Sequence, residues 1–302
     1  MIKNSVLKGV FLVGFGAVSY GMLATFVKIA YTEGFTTPEV TVAQIINGII
    51  VMLIITVFQR TASKKEIIKA SRKNIIHLIL AGTSIGFTSL FYYLSLNYIP
   101  VSTAIVLLMQ TVWIGVVFEM FLEKKKPSLQ KTIAVLIVLT GTVLATNLIE
   151  NSIQLNWTGI FFGLLSAVSF TSTMISANRV ALGIPSTQRS LYMLIGGAFV
   201  VISFALITQN VPFNFDVFLQ WGIILALFGT IIPPLLFNIG FPLTGIGLGS
   251  IVSALELPVS VLMAYFILNE KVNTTQWFGI VLIIFAVIIM NIDYNKFLNR
   301  AT

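Results

Sequence analysis

The sequence predicts an all-α polytopic membrane protein of ten transmembrane helices, built as two inverted five-helix repeats. Three observations predict it: the composition, the spacing of the apolar runs, and the placing of Lys and Arg between them. Of the 302 residues 57% are hydrophobic and 9% charged, whereas a soluble domain carries roughly a quarter charged residues. A water-facing surface cannot be built from that composition, so the bilayer is the solvent. A helix needs about 20 residues to cross the hydrocarbon, and ten runs meet that length. They cover 9–31, 38–58, 75–97, 100–122, 131–149, 157–178, 189–208, 218–241, 249–268 and 275–292. A closed barrel also satisfies its backbone in lipid, but its strands alternate over segments of about ten residues. These runs are continuously apolar.

Each run carries its own signals. The first follows Lys3 and Lys8 and is long enough to span; without a small-x-small cleavage site it reads as a retained helix rather than a signal peptide. The second holds Gln44 and Asn47. The third opens at His77 and contains Tyr92, and the fourth carries Gln110, Trp113 and Glu119. The fifth follows the cluster Lys124 to Lys126. The sixth opens on Trp157 and holds Asn178, and the seventh opens at Arg189. The eighth contains Trp221 near its start, the pair Pro233-Pro234, and Asn238. Gly245, Gly247 and Gly249 precede the ninth, which carries Glu256 and Pro258, and Trp277 opens the tenth.

Charge sets the orientation, because cytoplasmic loops are enriched in Lys and Arg. With the N-terminus inside, the cytoplasmic set is Lys3, Lys8, Arg60, Lys64, Lys65, Lys69, Arg72, Lys73, Lys124, Lys125, Lys126, Lys131, Arg179, Arg189, Lys296 and Arg300. Lys271 alone falls outside, and Lys28 lies within the first helix. Both termini are therefore expected in the cytoplasm of a cell (inner) membrane. Trp157, Trp221 and Trp277 open helices on the expected outer side, where indole rings favour the interface, and the outer loops carry Glu33, Glu150 and Asp216. The net charge of +8 lies in these clusters rather than on a basic face, which argues against nucleic acid. Cysteine is absent and His77 is the one histidine, so disulfides, thiolate chemistry and a metal site are not expected.

The chain repeats itself. Gly14-Phe15-Gly16-Ala17-Val18-Ser19-Tyr20 in the first run matches Gly163 to Phe170 in the sixth, most closely at Ala-Val-Ser-aromatic, a shift of 150 residues. Phe121-Leu122-Glu123-Lys124 matches Leu268-Asn269-Glu270-Lys271, and Gln130 pairs with Gln276 across a one-residue gap. Residues 1–149 and 150–302 thus form two five-helix halves. Five is odd, so the second half enters from the opposite side and the halves are inverted. Inverted repeats are a common construction of secondary transporters, with the site near the midplane between them.

These residues resemble the drug/metabolite transporter superfamily, specifically chains of two EamA-type domains. The resemblance rests on Tyr92-Tyr93-Leu94 to Pro100-Val101-Ser102-Thr103-Ala104, on Leu255-Glu256-Leu257-Pro258-Val259, and on the helix ends at Glu123 and Glu270. It covers essentially the whole chain and implies two inverted repeats around a central cavity, moving metabolites, amino acids or drugs. Two positions depart from the pattern. Family members often have an arginine early in the second helix, where this chain has Gln44, and a 147-residue shift pairs Glu256 with Met109.

An ionisable group inside the membrane costs several kcal/mol unless paired or wet, so each is a candidate. Glu256, about seven residues inside the ninth run, is read as an amine contact or a proton carrier. Lys28 faces either an anionic solute or the interface, and Glu119 is expected to partner Lys124 to Lys126. Neutral polar groups orient a solute without a large desolvation cost. Gln44, Asn47, Tyr92, Gln110 with Trp113 on one helix face, Asn178 and Asn238 are the candidates, against interhelical hydrogen bonding as the alternative. Pro233, Pro234 and Pro258 are the candidate hinges. The expected cavity is lined from the first, third, fourth, sixth, eighth and ninth helices. The sequence thus reads as a secondary transporter, taken as an exporter, of a small metabolite, amino acid or drug-like solute, with protons as candidate coupling ions and no cofactor. A membrane-embedded enzyme or a channel is the alternative. An enzyme would need a nucleophile-base pair, clustered carboxylates or a metal site, and only isolated candidates occur.

Overall fold

The computed structural model describes residues 2–62, 70–96, 98–99, 101–146, 156–269 and 271–291. Lys64, Lys65, Lys69, Pro100, Glu150, Glu270, Lys296 and Arg300 lie outside them. The described residues form ten helical spans: α1 (Ile2–Thr32), α2 (Thr37–Ala62), α3 (Arg72–Leu96), α4a and α4b (Val101–Leu108 and Thr111–Glu123), α5 (Leu129–Ala145), α6 (Trp157–Arg179), α7 (Ser186–Thr208), α8 (Phe218 to Thr244), α9a and α9b (Ile246–Ser253 and Glu256–Ile267) and α10 (Thr274–Asn291). Eight are long and apolar enough to cross a membrane, and α5 and α10 are shorter apolar helices. The protein is a multi-pass membrane protein.

Local chemistry starts the helices where the turns need them. Thr36 and Glu39 form a capping box at α2, the Thr36 amide donating to Glu39 Oε2 at 2.7 Å. Asn156 caps α6 by accepting from the amides of Thr158 and Gly159. Asn273 and Gln276 bond reciprocally at the start of α10, and Ser128 accepts from the Lys131 amide at α5.

The fourth and ninth spans are broken at matching places. Each has an eight-residue half-helix, two residues of turn, and a longer second half. A uniform shift of 145 residues maps Met109-Gln110 onto Ala254-Leu255, and it also maps Lys124 onto Asn269, both left-handed at φ 53° and 54°. In α9 the cause is Pro258, which has no N–H to give to the Ala254 carbonyl four residues back and crowds it. Leu257 donates there instead, at 3.2 Å, tightening the turn to three residues. In α4 the Gln110 and Val112 amides make the same three-residue bonds, to Leu107 and Met109, without any proline. The register corrects the expected pairing of Glu256 with Met109: its counterpart is Thr111, the first residue of α4b.

Packing has the same symmetry. α1 lies on α8 and α6 on α3; α3 packs on α7 and α8 on α2; α2–α7 and α5–α10 pair across the centre. Exchanging each span with the one five later returns the same set. The α5–α10 pair makes the inversion explicit: Gln130 at the start of α5 donates to the Ile289 carbonyl near the end of α10, and Gln276 at the start of α10 donates to Ala145 at the end of α5. Such a reciprocal bridge needs antiparallel partners. On the other side, Gly82 and Gly86 of α3 press against the backbone of Met193 and Gly197 of α7, a separation at which only glycine fits.

Candidate functional site

One cavity of about 290 Å³ lies between the halves. α1 contributes Tyr20, Leu23, Ala24, Val27, Lys28 and Tyr31, α3 contributes Thr88, Ser89, Tyr92 and Tyr93, and Thr37, Ile105, Leu108, Glu256 and Ser260 complete it. It runs from Glu256 and Tyr20, near the middle of α1, to Tyr31 and Thr37 at the α1–α2 turn. That turn is at the end of the bundle opposite Lys124 to Lys126. The expected lining from α6 and α8 is corrected: neither reaches this cavity, and α2 does.

Glu256 owes its place to the break in α9. As the first residue of α9b it sits where the helix resumes after the turn, at the edge of the cavity. It stands against α1, whose Gly21 packs on the Glu256 carbonyl and accepts from Ser260 Oγ at 2.9 Å. Lys28 lines the same cavity two turns further along α1. These are the two charged side chains among its lining residues.

Below Glu256 the space is closed by rings. Tyr20 meets Phe170 edge-on at 6.0 Å and lies tilted over Phe237 at 5.8 Å, and Phe237 contacts Phe241 at 5.2 Å. The three phenylalanines are buried. Tyr20 and Phe170 are the aromatic residues of the two Ala-Val-Ser-aromatic motifs, so the repeat places one ring from each half at the centre. Beyond this floor Glu119 joins the halves. It bonds Lys131 and accepts from the Gly247 amide of α9a at 3.1 Å. The expected partnership with Lys124 to Lys126 is corrected, because those three are exposed beyond the end of α4b whereas Glu119 faces the buried α4b–α9a contact.

Of the nine polar candidates, Glu256, Lys28 and Tyr92 line the cavity. The other six do not line it. Asn47 donates to the Phe218 carbonyl at 2.8 Å, in a π turn of α8, and Asn178 donates to Phe241 at 2.6 Å. Asn238 donates to Ser190 at 2.9 Å. Gln44 is buried against Gly229, and Thr230 Oγ1 donates to its carbonyl at 3.1 Å. Gln110 accepts from Trp113 at 2.8 Å, but the indole is exposed on the outside of the bundle, so the shared face turns away from the cavity. Of the hinge candidates, Pro258 explains the α9 break. Pro233 and Pro234 sit at the start of the regular part of α8, directly after the π turn Ala226–Ile231.

Two charged residues escaped the sequence reading. Arg189, expected among the cytoplasmic cations at the opening of the seventh run, is buried in the first turn of α7. Pro242 deprives the Asn238 carbonyl of its helical donor, and Arg189 Nη1 donates to that oxygen at 2.6 Å; Nε donates to Val180 at 3.0 Å, and Nη2 to the last carbonyls of α6. The residue four places before Pro242 was the available signal. Glu39, beyond its own cap, accepts from the Asn214 amide at 2.7 Å and from Gln209 at 3.2 Å. It ties α2 to the segment after α7.

The model of the EamA-like transporter family matches residues 7–147 and 157–292. No curated protein matches the chain. A solved crystal structure, titled only as that of a protein, is similar with a TM-score of 0.76 at 15% identity, over 93% of this chain and 97% of that one; at that identity the likeness is one of fold.

Proposed function

Because the chain belongs to the EamA-like transporter family, we propose that it is a secondary transporter exporting a small metabolite, amino acid or drug-like solute by alternating access. The observation that carries this reading is the cavity between the halves, with one carboxylate at mid-depth and an aromatic floor separating it from the lysine-rich end. In this reading the moving bodies are two groups that the repeat exchanges and that each pack internally across the halves, α1 with α8 and α9, and α6 with α3 and α4. Rocking parts the Tyr20–Phe170 contact and the Glu119–Gly247 bond while closing the Tyr31 end. The turn at Ala254-Leu255, made by Pro258, and the π turn before Pro233-Pro234 are the bending points. The lysine-rich loops and both termini face the cytoplasm of the cell membrane.

Glu256 is the coupling group. A carboxyl holds either a proton or a cationic group of the solute, so loading one releases the other and the two flows become linked. Lys28 and Tyr92 contact the solute from α1 and α3.

Counterflow into liposomes holding the purified protein tests the function. Preloading with the transported solute should drive uptake of its labelled form, and dissipating a proton gradient should slow net flux. Single-channel currents, or flux indifferent to preloading across a solute library, would refute it. Sidedness has its own test, since the native chain has no cysteine. An impermeant thiol reagent outside intact cells should label a cysteine at position 34 or 212 and spare one at 125; labelling at 125 would reverse the assigned topology.

A further inference from the structure

The polar groups that line the cavity divide into two kinds. Tyr31 gives its hydroxyl to Thr37 Oγ1 at 3.2 Å, Thr88 to the Ser84 carbonyl at 2.7 Å and Ser260 to the Gly21 carbonyl at 2.9 Å, so these are satisfied within the protein. Others are not. Among the described residues, the Glu256 carboxyl and the hydroxyls of Tyr20 and Tyr92 have no hydrogen-bond partner, and none of them is sealed in the packing: all three open to the cavity. Both tyrosines stand within electrostatic range of the carboxyl. Tyr20 is held there because the next residue, Gly21, packs on the Glu256 carbonyl. Buried polar groups are ordinarily paired, so three open acceptors gathered at one place call for a donor that the chain does not supply. Beyond them the wall is aliphatic, with Leu23, Ala24 and Val27 from α1 and Ile105 and Leu108 from α4a.

We propose that the solute is a small primary amine without a carboxyl group. Its ammonium donates to the Glu256 carboxylate and to the hydroxyl oxygens of Tyr20 and Tyr92, and its uncharged, apolar body lies along the aliphatic wall. This deepens the transporter reading and rests on it. A primary ammonium carries three N–H donors, one for each open acceptor, and tyrosine faces add their attraction for a cation. A quaternary ammonium has the charge but nothing to donate. An α-amino acid has the donors, but it sets its own carboxylate on the same carbon, beside Glu256, where like charges repel. Lys28 does not relieve that clash. It lies seven residues beyond Gly21, about 10 Å of helix rise, and is engaged in an interaction of its own within the protein. The cavity, about 290 Å³, is at the small end of ligand sites, which run from about 300 Å³ upward. The body is therefore one ring or a short alkyl chain.

Probes that share one body and differ in the head group test this with the purified protein, read as thermal stabilisation against probe concentration. Phenethylamine should bind about tenfold or more tighter than three relatives: phenylalanine, which adds a carboxylate, hydrocinnamate, which has a carboxylate in place of the amine, and trimethylphenethylammonium, which keeps the charge without an N–H. Tyr20→Phe and Tyr92→Phe keep the rings, so each should weaken phenethylamine about threefold or more and leave the trimethylated probe unchanged. Loss of packing alone would weaken both alike. Glu256→Gln should weaken phenethylamine about tenfold or more, and it should bind hydrocinnamate more tightly than wild type does, a gain that a misfolded variant does not produce. Phenylalanine or the trimethylated probe binding as tightly as phenethylamine would overturn the proposal. So would unchanged phenethylamine binding or equal losses for both cations in the tyrosine variants, no gain for hydrocinnamate in Glu256→Gln, or no stabilisation by any probe. Counterflow of some other solute by the same preparation would then leave the transporter reading standing.

Discussion

α4 and α9 are the same device used twice. Each breaks after an eight-residue half-helix, and each opens its second half with a polar side chain, Thr111 in one and Glu256 in the other. Their surroundings differ. Thr111 Oγ1 shares a hydrogen bond of 2.8 Å with Thr171 Oγ1 in a contact that excludes solvent, whereas Glu256 borders the cavity. The residue of α1 matching Thr171 by the 150-residue shift is Gly21, which has no side chain to close the gap. A symmetric frame thus yields a one-sided cavity because one half fills its break and the other leaves it open. The break supplies geometry, and the side chains around it decide whether it becomes a site.

The largest expected effect on transport comes from the α9 side. Glu256→Gln keeps the shape and hydrogen bonding but cannot titrate, so proton-driven flux in proteoliposomes should fall at least tenfold, about 1.4 kcal/mol. Insertion and the size-exclusion profile should not change. Flux with wild-type rate and pH dependence would end the coupling role, and with it the functional contrast between the two breaks.

Next come changes to the frame that both breaks depend on. Arg189→Met leaves the carbonyls of Ala177, Val180 and Asn238 without this donor in a buried setting, each worth about 1–3 kcal/mol. Thermal stability should drop by about 3 kcal/mol or more, with flux per folded molecule retained. A variant as stable as wild type would show that Arg189 is replaceable there. Glu119→Gln acts directly between α4b and α9a. It removes the charge facing Lys131 but can still accept from Gly247, so about 1 kcal/mol should be lost. Lys131→Met should cost a similar amount, and the double variant should cost less than the two together; additive losses would mean that the pair does not act as one contact.

The scale of the frame was legible in the sequence because hydrocarbon thickness fixes span length and basic loops mark alternate ends. Among the described residues, all ten runs fall on helical spans. The repeat was legible too, and its two best signals proved physical: Gln130 and Gln276 make reciprocal bridges, while Tyr20 and Phe170 meet at the centre. The site was legible only in part. Glu256, Lys28 and Tyr92 line the cavity, but Asn47, Asn178 and Asn238 are occupied by helix–helix contacts to α8 and α7. Composition cannot separate these uses, since an amide within a span satisfies a stray carbonyl as readily as it orients a solute. Position relative to proline is more informative: Pro242 frees a carbonyl four residues earlier, and Arg189 sits on it. The α4 break had no such marker, because neither Pro nor Gly occurs between Val101 and Ile114.

The smallest effect is expected where the comparison began. Thr111→Val is nearly isosteric and removes one hydroxyl from the bond to Thr171. That group keeps a second bond, to the Ala167 carbonyl at 2.9 Å, so it is not left without a partner. Hydrogen bonds between transmembrane helices average about 0.6 kcal/mol, and a loss of that size lies near the limit of a thermal-stability measurement. Flux should stay within about threefold of wild type, since 0.6 kcal/mol corresponds to just under a threefold change in any equilibrium. The informative outcome is therefore a large one. If Thr111→Val abolished flux as Glu256→Gln is expected to, the filled break of α4 would be part of the transport pathway. The closed contact seen here would then be one state of a site that opens on the other half of the cycle.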